Sequence, residues 1–156
     1  MAVIVVLTVL AYLPAFQAGF VWDDDTHLTA NLLTQQGGLF RSWFTTDQPN
    51  YWPLTWTSFW LEWRLWGLNP SGYHAFGILL HVLISLLLWN ILARLNVPGG
   101  WLAAMLFAVH PVNVETVAWI TQRKNLLSML FYLVSIRAFL VSEKKRSGAY
   151  VLSLAA

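Results

Sequence analysis

An all-α integral membrane protein is what this sequence predicts, on three observations. Apolar residues fall in runs long enough to cross a bilayer, only 10% of the 156 residues are charged, and ten Trp fit the aromatic belts of a membrane boundary. The mean hydropathy of +0.57 agrees with that class. Lys144-Lys145-Arg146 is the densest basic cluster and no basic stripe accompanies it, so nucleic acid is excluded as a partner. With no cysteine, disulfides and thiolate metal sites are excluded too.

The first element is the stretch 1–22, which contains no Lys, Arg, Asp or Glu. At 1.5 Å per residue it is long enough to span, and a cleaved signal peptide is the competing reading, weakened by the missing basic start. Further spans are expected at about 73–93, 98–121 and 125–142, with a truncated one from Tyr150, all within one transmembrane domain over 1–156. A short basic loop is normally cytoplasmic, so Lys144 to Arg146 lie inside. Counting back places 23–72 in an outer loop.

Within that loop, Trp52, Trp56, Phe59, Trp60, Trp63 and Trp66 recur at helical spacing, with Thr55, Ser58 and Glu62 on another face. The pattern suits a helix lying in the membrane interface, or one packed wholly inside protein. Pro53 is tolerated in its first turn, and 68–72 reads as the turn into the second span. There His74, His81 and Ser85 share a face expected to meet neighbouring helices rather than a metal. In the third span Gly100, Ala104 and Ala108 form a small-residue seam, and Pro111 kinks or ends that helix.

The ionisable groups gather at expected outer boundaries. Asp23, Asp24 and Asp25 directly follow the first apolar run, and three adjacent carboxylates are open to three roles: general base, divalent-cation ligand or solvated loop. Glu115, Trp119 and Arg123 follow at i, i+4 and i+8 beyond His110, so acid and cation can line one cavity or form a salt bridge that orders the kink. Arg123 and Lys124 on the outer side break the positive-inside bias, which points either to a misplaced turn or to an anion site. Carboxylates, cations and an aromatic interfacial helix together describe a site for a phosphorylated lipid.

In order along the chain, the stretches Phe20-Val21-Trp22-Asp23-Asp24-Asp25 with Asn31, Tyr51 to Thr55, Phe59 to Glu62, Leu65 to Pro70 with Gly72-Tyr73-His74, Val97 to Ala104, His110 to Glu115 and Trp119 to Ser128 cover most of 20–135. They resemble the GT-C-type, polyprenyl-phosphate-sugar-dependent O-mannosyltransferases that carry transmembrane spans followed by tetratricopeptide repeats, closest to bacterial members. The resemblance implies an N-terminal part of a GT-C-type helical bundle. It also implies inverting transfer of a sugar, mannose foremost, from a polyprenyl- or dolichyl-phosphate donor to a Ser/Thr hydroxyl of an acceptor protein outside the membrane.

The same resemblance makes Asp23 the base, with Asp24 supporting it or, like Asp25, binding a divalent cation. It assigns Arg123 and Lys124 to the donor phosphate and puts His110 and Glu115 in the same cavity. The membrane would be the bacterial inner membrane, or the endoplasmic reticulum in a eukaryote. Two departures stand out: Trp52 occupies a position where many relatives have Arg, and the later spans and repeats are missing, so the fragment alone is expected to be inactive. The competing class is a non-catalytic membrane protein, a transporter segment or a lipid- or ion-binding subunit.

Overall fold

The computed structural model describes residues 1–145 apart from 37, 47 and 49, with the side chains of 32, 33 and 143–145 left aside. The expected span from Tyr150 and the Lys144-Lys145-Arg146 side chains lie outside the described residues. Among the described residues the regular elements are all helical: α1 Ala2–Ala11, α2 Leu32–Gln36, α3 Leu39–Phe44, α4 Pro53–Trp66, α5 Pro70–Arg94, α6 Gly100–Val109, α7 Val114–Ala118 and α8 Arg123–Lys145. Short 3-10 turns precede α7 and α8, and a π turn covers Asp25–Thr29.

Two helices are long and apolar enough to cross a membrane, Pro70–Arg94 and Ile120–Ser142, the latter counted with its leading 3-10 turn. α5 starts cleanly because Pro70 sits in the first turn and the Asn69 side chain accepts a hydrogen bond from the Ser71 N–H. At 1.5 Å per residue it reaches roughly 37 Å, more than a bilayer core. α6 and the Pro111–Ala118 segment pass as a third span only if taken as one helix bent by 49°. The bend falls where Pro111 was expected to place it, since proline supplies no N–H and its ring clashes with the preceding turn.

The opening apolar run is helical in a different way from the single span expected over 1–22. The α-helix covers Ala2–Ala11, and Leu13–Gln17 is a 3-10 turn with Pro14 in its first turn. Pro14 disfavours continuation because its ring would meet the carbonyl of Leu10, four residues back. Inside α1 the Thr8 hydroxyl donates to the Ile4 carbonyl at 2.6 Å, so this buried polar group is satisfied within its own helix.

α5 is the central helix, packed against α8, α6 and α1. The polar face read from the sequence points inward, since His74, His81 and Ser85 are all buried. His81 Nε2 lies 3.0 Å from the Ala108 carbonyl and the Ser85 hydroxyl donates to the His81 carbonyl, which ties α5 to the end of α6. Gly100, Ala104 and Ala108 are buried as the seam, with Ile4 of α1 packed against the two alanines. A Cβ on Gly100 would stand 2.9 Å from Leu92 Cβ, so the close approach of α5 and α6 needs glycine there. Ala104→Leu is expected to destabilise the bundle by about 1–3 kcal/mol through overpacking. An unchanged thermal midpoint of the purified protein in detergent would contradict the seam.

Candidate functional site

The three carboxylates at 23–25 diverge. Asp24 is fully buried, and its Oδ1 accepts from the Thr121 N–H at 2.9 Å and the Thr121 hydroxyl at 2.6 Å, while Oδ2 accepts from the Val21 N–H at 2.9 Å. Asp25 is exposed and accepts from the Thr29 hydroxyl. The Asp23 side chain is 41% exposed, its Oδ2 lies 3.6 Å from His27 Nδ1, and Oδ1 has no partner among the described residues. Oδ1 is buried, so what sets Asp23 apart from its two neighbours is a part-exposed carboxylate that meets a second ionisable group, His27. Among the described residues no group of three His, Cys, Asp or Glu is arranged to hold a metal ion.

Backbone strain sits beside this residue. Trp22 has φ 51°, in the left-handed region where a bulky side chain costs about 1–2 kcal/mol. Asp24 fixes the turn from both sides, through Val21 before the strain and Thr121 from across the fold. The Trp22 ring meets Trp119 edge-on at 4.7 Å, a second tie between the same two segments.

The two cations also part company. Arg123 is 1% exposed and makes a two-pronged pair with Glu62, Nη1 to Oε1 at 2.7 Å and Nη2 to Oε2 at 3.2 Å. It also donates to the Tyr73 carbonyl at 2.9 Å and to the Ser58 hydroxyl. Burial raises the proton affinity of the Glu62 carboxyl above its ordinary value, against the opposing pull of the Arg123 charge and the Ser58 and Arg123 hydrogen bonds. With its donors used by the protein, Arg123 ties α8 to α4 and α5. The polar face of α4, expected to lie apart from the buried aromatics, is the one that carries this pair: Thr55, Trp56, Phe59 and Glu62 are buried together, and Leu54, Leu61 and Leu65 are exposed.

Lys124 points elsewhere. Its Nζ lies 4.6 Å from the centre of the Trp52 ring and donates to the Thr121 carbonyl, the residue that holds Asp24. The other neighbour of Trp52 is His27, stacked at 5.7 Å and 15°. Asp23, His27, Trp52 and Lys124 thus form a continuous line, each touching the next. Trp52 and Lys124 also line a cavity of about 480 Å³ between α4 and α8, whose walls include Leu54, Leu127, Phe131 and Tyr132.

His110 and Glu115 are not brought to this cavity. Both are exposed; His110 accepts from the Val112 N–H, and Glu115 accepts from the Gln122 amide. The expected face shared by Glu115, Trp119 and Arg123 is broken because Trp119 is extended, with φ −88° and ψ 118°, and the 3-10 turn Ile120–Gln122 turns Arg123 inward. His27, Trp52, Glu62 and Thr121 complete the site. The helical spacing places Trp52 and Glu62 on the faces of the loop helix without linking them to Lys124 or Arg123, His27 has its i+4 spacing from Asp23, and Thr121 carries no local signal.

A test isolates the structural cation, Arg123. Glu62→Leu leaves Arg123 buried without its partner and is expected to cost about 3–5 kcal/mol, whereas Glu62→Leu with Arg123→Met should recover a large part of that loss. Thermal unfolding in detergent reads both, and equal loss in the single and double variants would contradict the pairing.

Comparison with known proteins gives relatives but no structural match. A human protein named protein O-mannosyl-transferase TMTC4 is 30% identical over 173 residues, covering 92% of this chain and 23% of that protein. Protein O-mannosyl-transferase tmtc2 of Xenopus laevis is 33% identical over 86% of this chain and 18% of its own length. The human protein O-mannosyl-transferase TMTC1 is 32% identical over 83% and 16%. The chain spans less than a quarter of the length of each of these relatives. No family model and no solved structure matches. Over most of its length, this helical chain with apolar membrane-length helices is similar to a segment of proteins named protein O-mannosyl-transferase.

Proposed function

We propose that this chain carries the base and the donor-phosphate contact of a GT-C-type membrane glycosyltransferase. The enzyme moves mannose from a polyprenyl- or dolichyl-phosphate donor to a Ser/Thr hydroxyl on the outer side of the membrane. The observation that carries the reading is the shared platform. Lys124 and His27 both lie against Trp52, His27 touches Asp23, and the platform edges an apolar cavity of about 480 Å³. An anionic headgroup with an apolar tail fits a cation at the rim of such a cavity. The names of the relatives support the sugar and the protein acceptor.

In this reading the Asp23 carboxylate takes the proton of the acceptor hydroxyl as its oxygen bonds the anomeric carbon. The bond from that carbon to the phosphate oxygen breaks, and its electron pair leaves on the phosphate. Attack opposite the leaving group inverts the anomeric centre. The Lys124 ammonium neutralises the charge that builds on the departing phosphate. Asp24 supports Asp23 by fixing the turn, and Arg123 holds the start of α8 so that Lys124 faces the cavity.

Transfer measured with the full-length protein in membrane vesicles, using a labelled polyprenyl-phosphate mannose and a Ser/Thr-rich acceptor, tests this. Asp23→Asn is expected to lower turnover by about 10²–10⁴. Lys124→Ala should raise the donor KM about tenfold or more, the loss of one charge-assisted contact. Wild-type turnover in Asp23→Asn would remove the base assignment, and an unchanged donor KM in Lys124→Ala would remove the phosphate contact.

A further inference from the structure

His27 is one turn beyond Asp23, in the π turn Asp25–Thr29, and is 5% exposed. Its backbone N–H donates to the Asp23 carbonyl at 3.1 Å, and its ring Nδ1 lies 2.8 Å from the same oxygen. A carbonyl only accepts, so the network assigns the ring hydrogen to Nδ1. That same Nδ1 edge lies 3.6 Å from Asp23 Oδ2. The ring is held by two indoles, stacked on Trp56 at 5.3 Å and 10° and on Trp52 at 5.7 Å and 15°, while Nε2 is buried with no partner among the described residues. A histidine packed against two neighbouring indoles, which themselves stack at 6.3 Å, with one nitrogen bonded to the backbone of residue 23, is held in one orientation beside that residue.

We propose that His27 is a positioning residue for Asp23: packed against Trp52 and Trp56, its Nδ1–H bond to the Asp23 carbonyl fixes the backbone of residue 23 and with it the place of the carboxylate beside the incoming acceptor hydroxyl. The inference rests on the reading of Asp23 as the base and adds a residue that acts through it without touching substrate. It also gives Trp52 two contacts, the Lys124 ammonium and the His27 ring. Base and cation are thereby set by one indole.

The amide nitrogen of asparagine can take the place of Nδ1, whereas that of glutamine lies nearer the place of Nε2. Transfer by the full-length protein in membranes is compared for His27→Asn, His27→Gln and Asp23→Asn, with tryptophan emission reporting the folded packing around Trp52 and Trp56. His27→Gln is expected to lower kcat by about 10–100-fold with the donor KM unchanged, in keeping with the sensitivity of catalysis to small misplacements. His27→Asn should restore most of the loss. Equal kcat in the two variants, or a loss confined to KM, would overturn the positioning role while Asp23→Asn remained inactive. Wild-type turnover in Asp23→Asn would instead overturn the base reading and this role with it.

Discussion

Asp24 and Thr121, 97 residues apart in sequence, make the contact on which the rest of the site depends. A buried carboxylate with no cation partner among the described residues is tolerable only when hydrogen bonds replace its water, and three do so here: two from Thr121 and one from Val21. The two bonds from Thr121 hold the turn after the first apolar run against the segment that leads into α8. Asp23 and Trp22 then have a fixed place on one side, and Lys124, bonded back to Thr121, has one on the other. The strained backbone of Trp22 persists because this contact over-determines it.

A second buried tie divides labour between neighbouring residues. Arg123 spends its guanidinium on Glu62, Ser58 and the Tyr73 carbonyl, so it joins α8 to α4 and α5. Lys124, one residue on, turns to the Trp52 ring and the cavity. Two adjacent cations with similar formal charge thus serve different ends. The planar fork of arginine suits the two-oxygen pair, and the point charge of lysine suits an indole face. α4 answers this by burying its polar stripe and exposing leucines, the arrangement of a helix whose surroundings are apolar and whose partner is charged.

Much of this was legible from the residues alone. The two long helices follow from long apolar runs with few charges, the bend from Pro111, the inward face from His74, His81 and Ser85, and the α5–α6 contact from Gly100, Ala104 and Ala108. What was not legible lies in two kinds of place. Breaks in apolar segments without charge leave little signal: Pro14 ends α1 near Ala11, and Trp119 turns extended with no breaker of its own. Long-range polar pairs leave none, because nothing in one sequence says that Glu62 meets Arg123 or that Asp24 meets Thr121. The acidic triplet therefore read as one cluster, whereas tertiary contacts give its members three separate fates.

If the bonds between Asp24 and Thr121 hold the turn that carries Asp23, the two residues are energetically coupled. A double-mutant cycle of Asp24→Asn and Thr121→Val, read by thermal unfolding of the purified protein in detergent, measures it most directly. A coupling energy of about 0.5–3 kcal/mol, the range for residues that share a hydrogen-bond network, is expected. Additive effects of the two substitutions would contradict it.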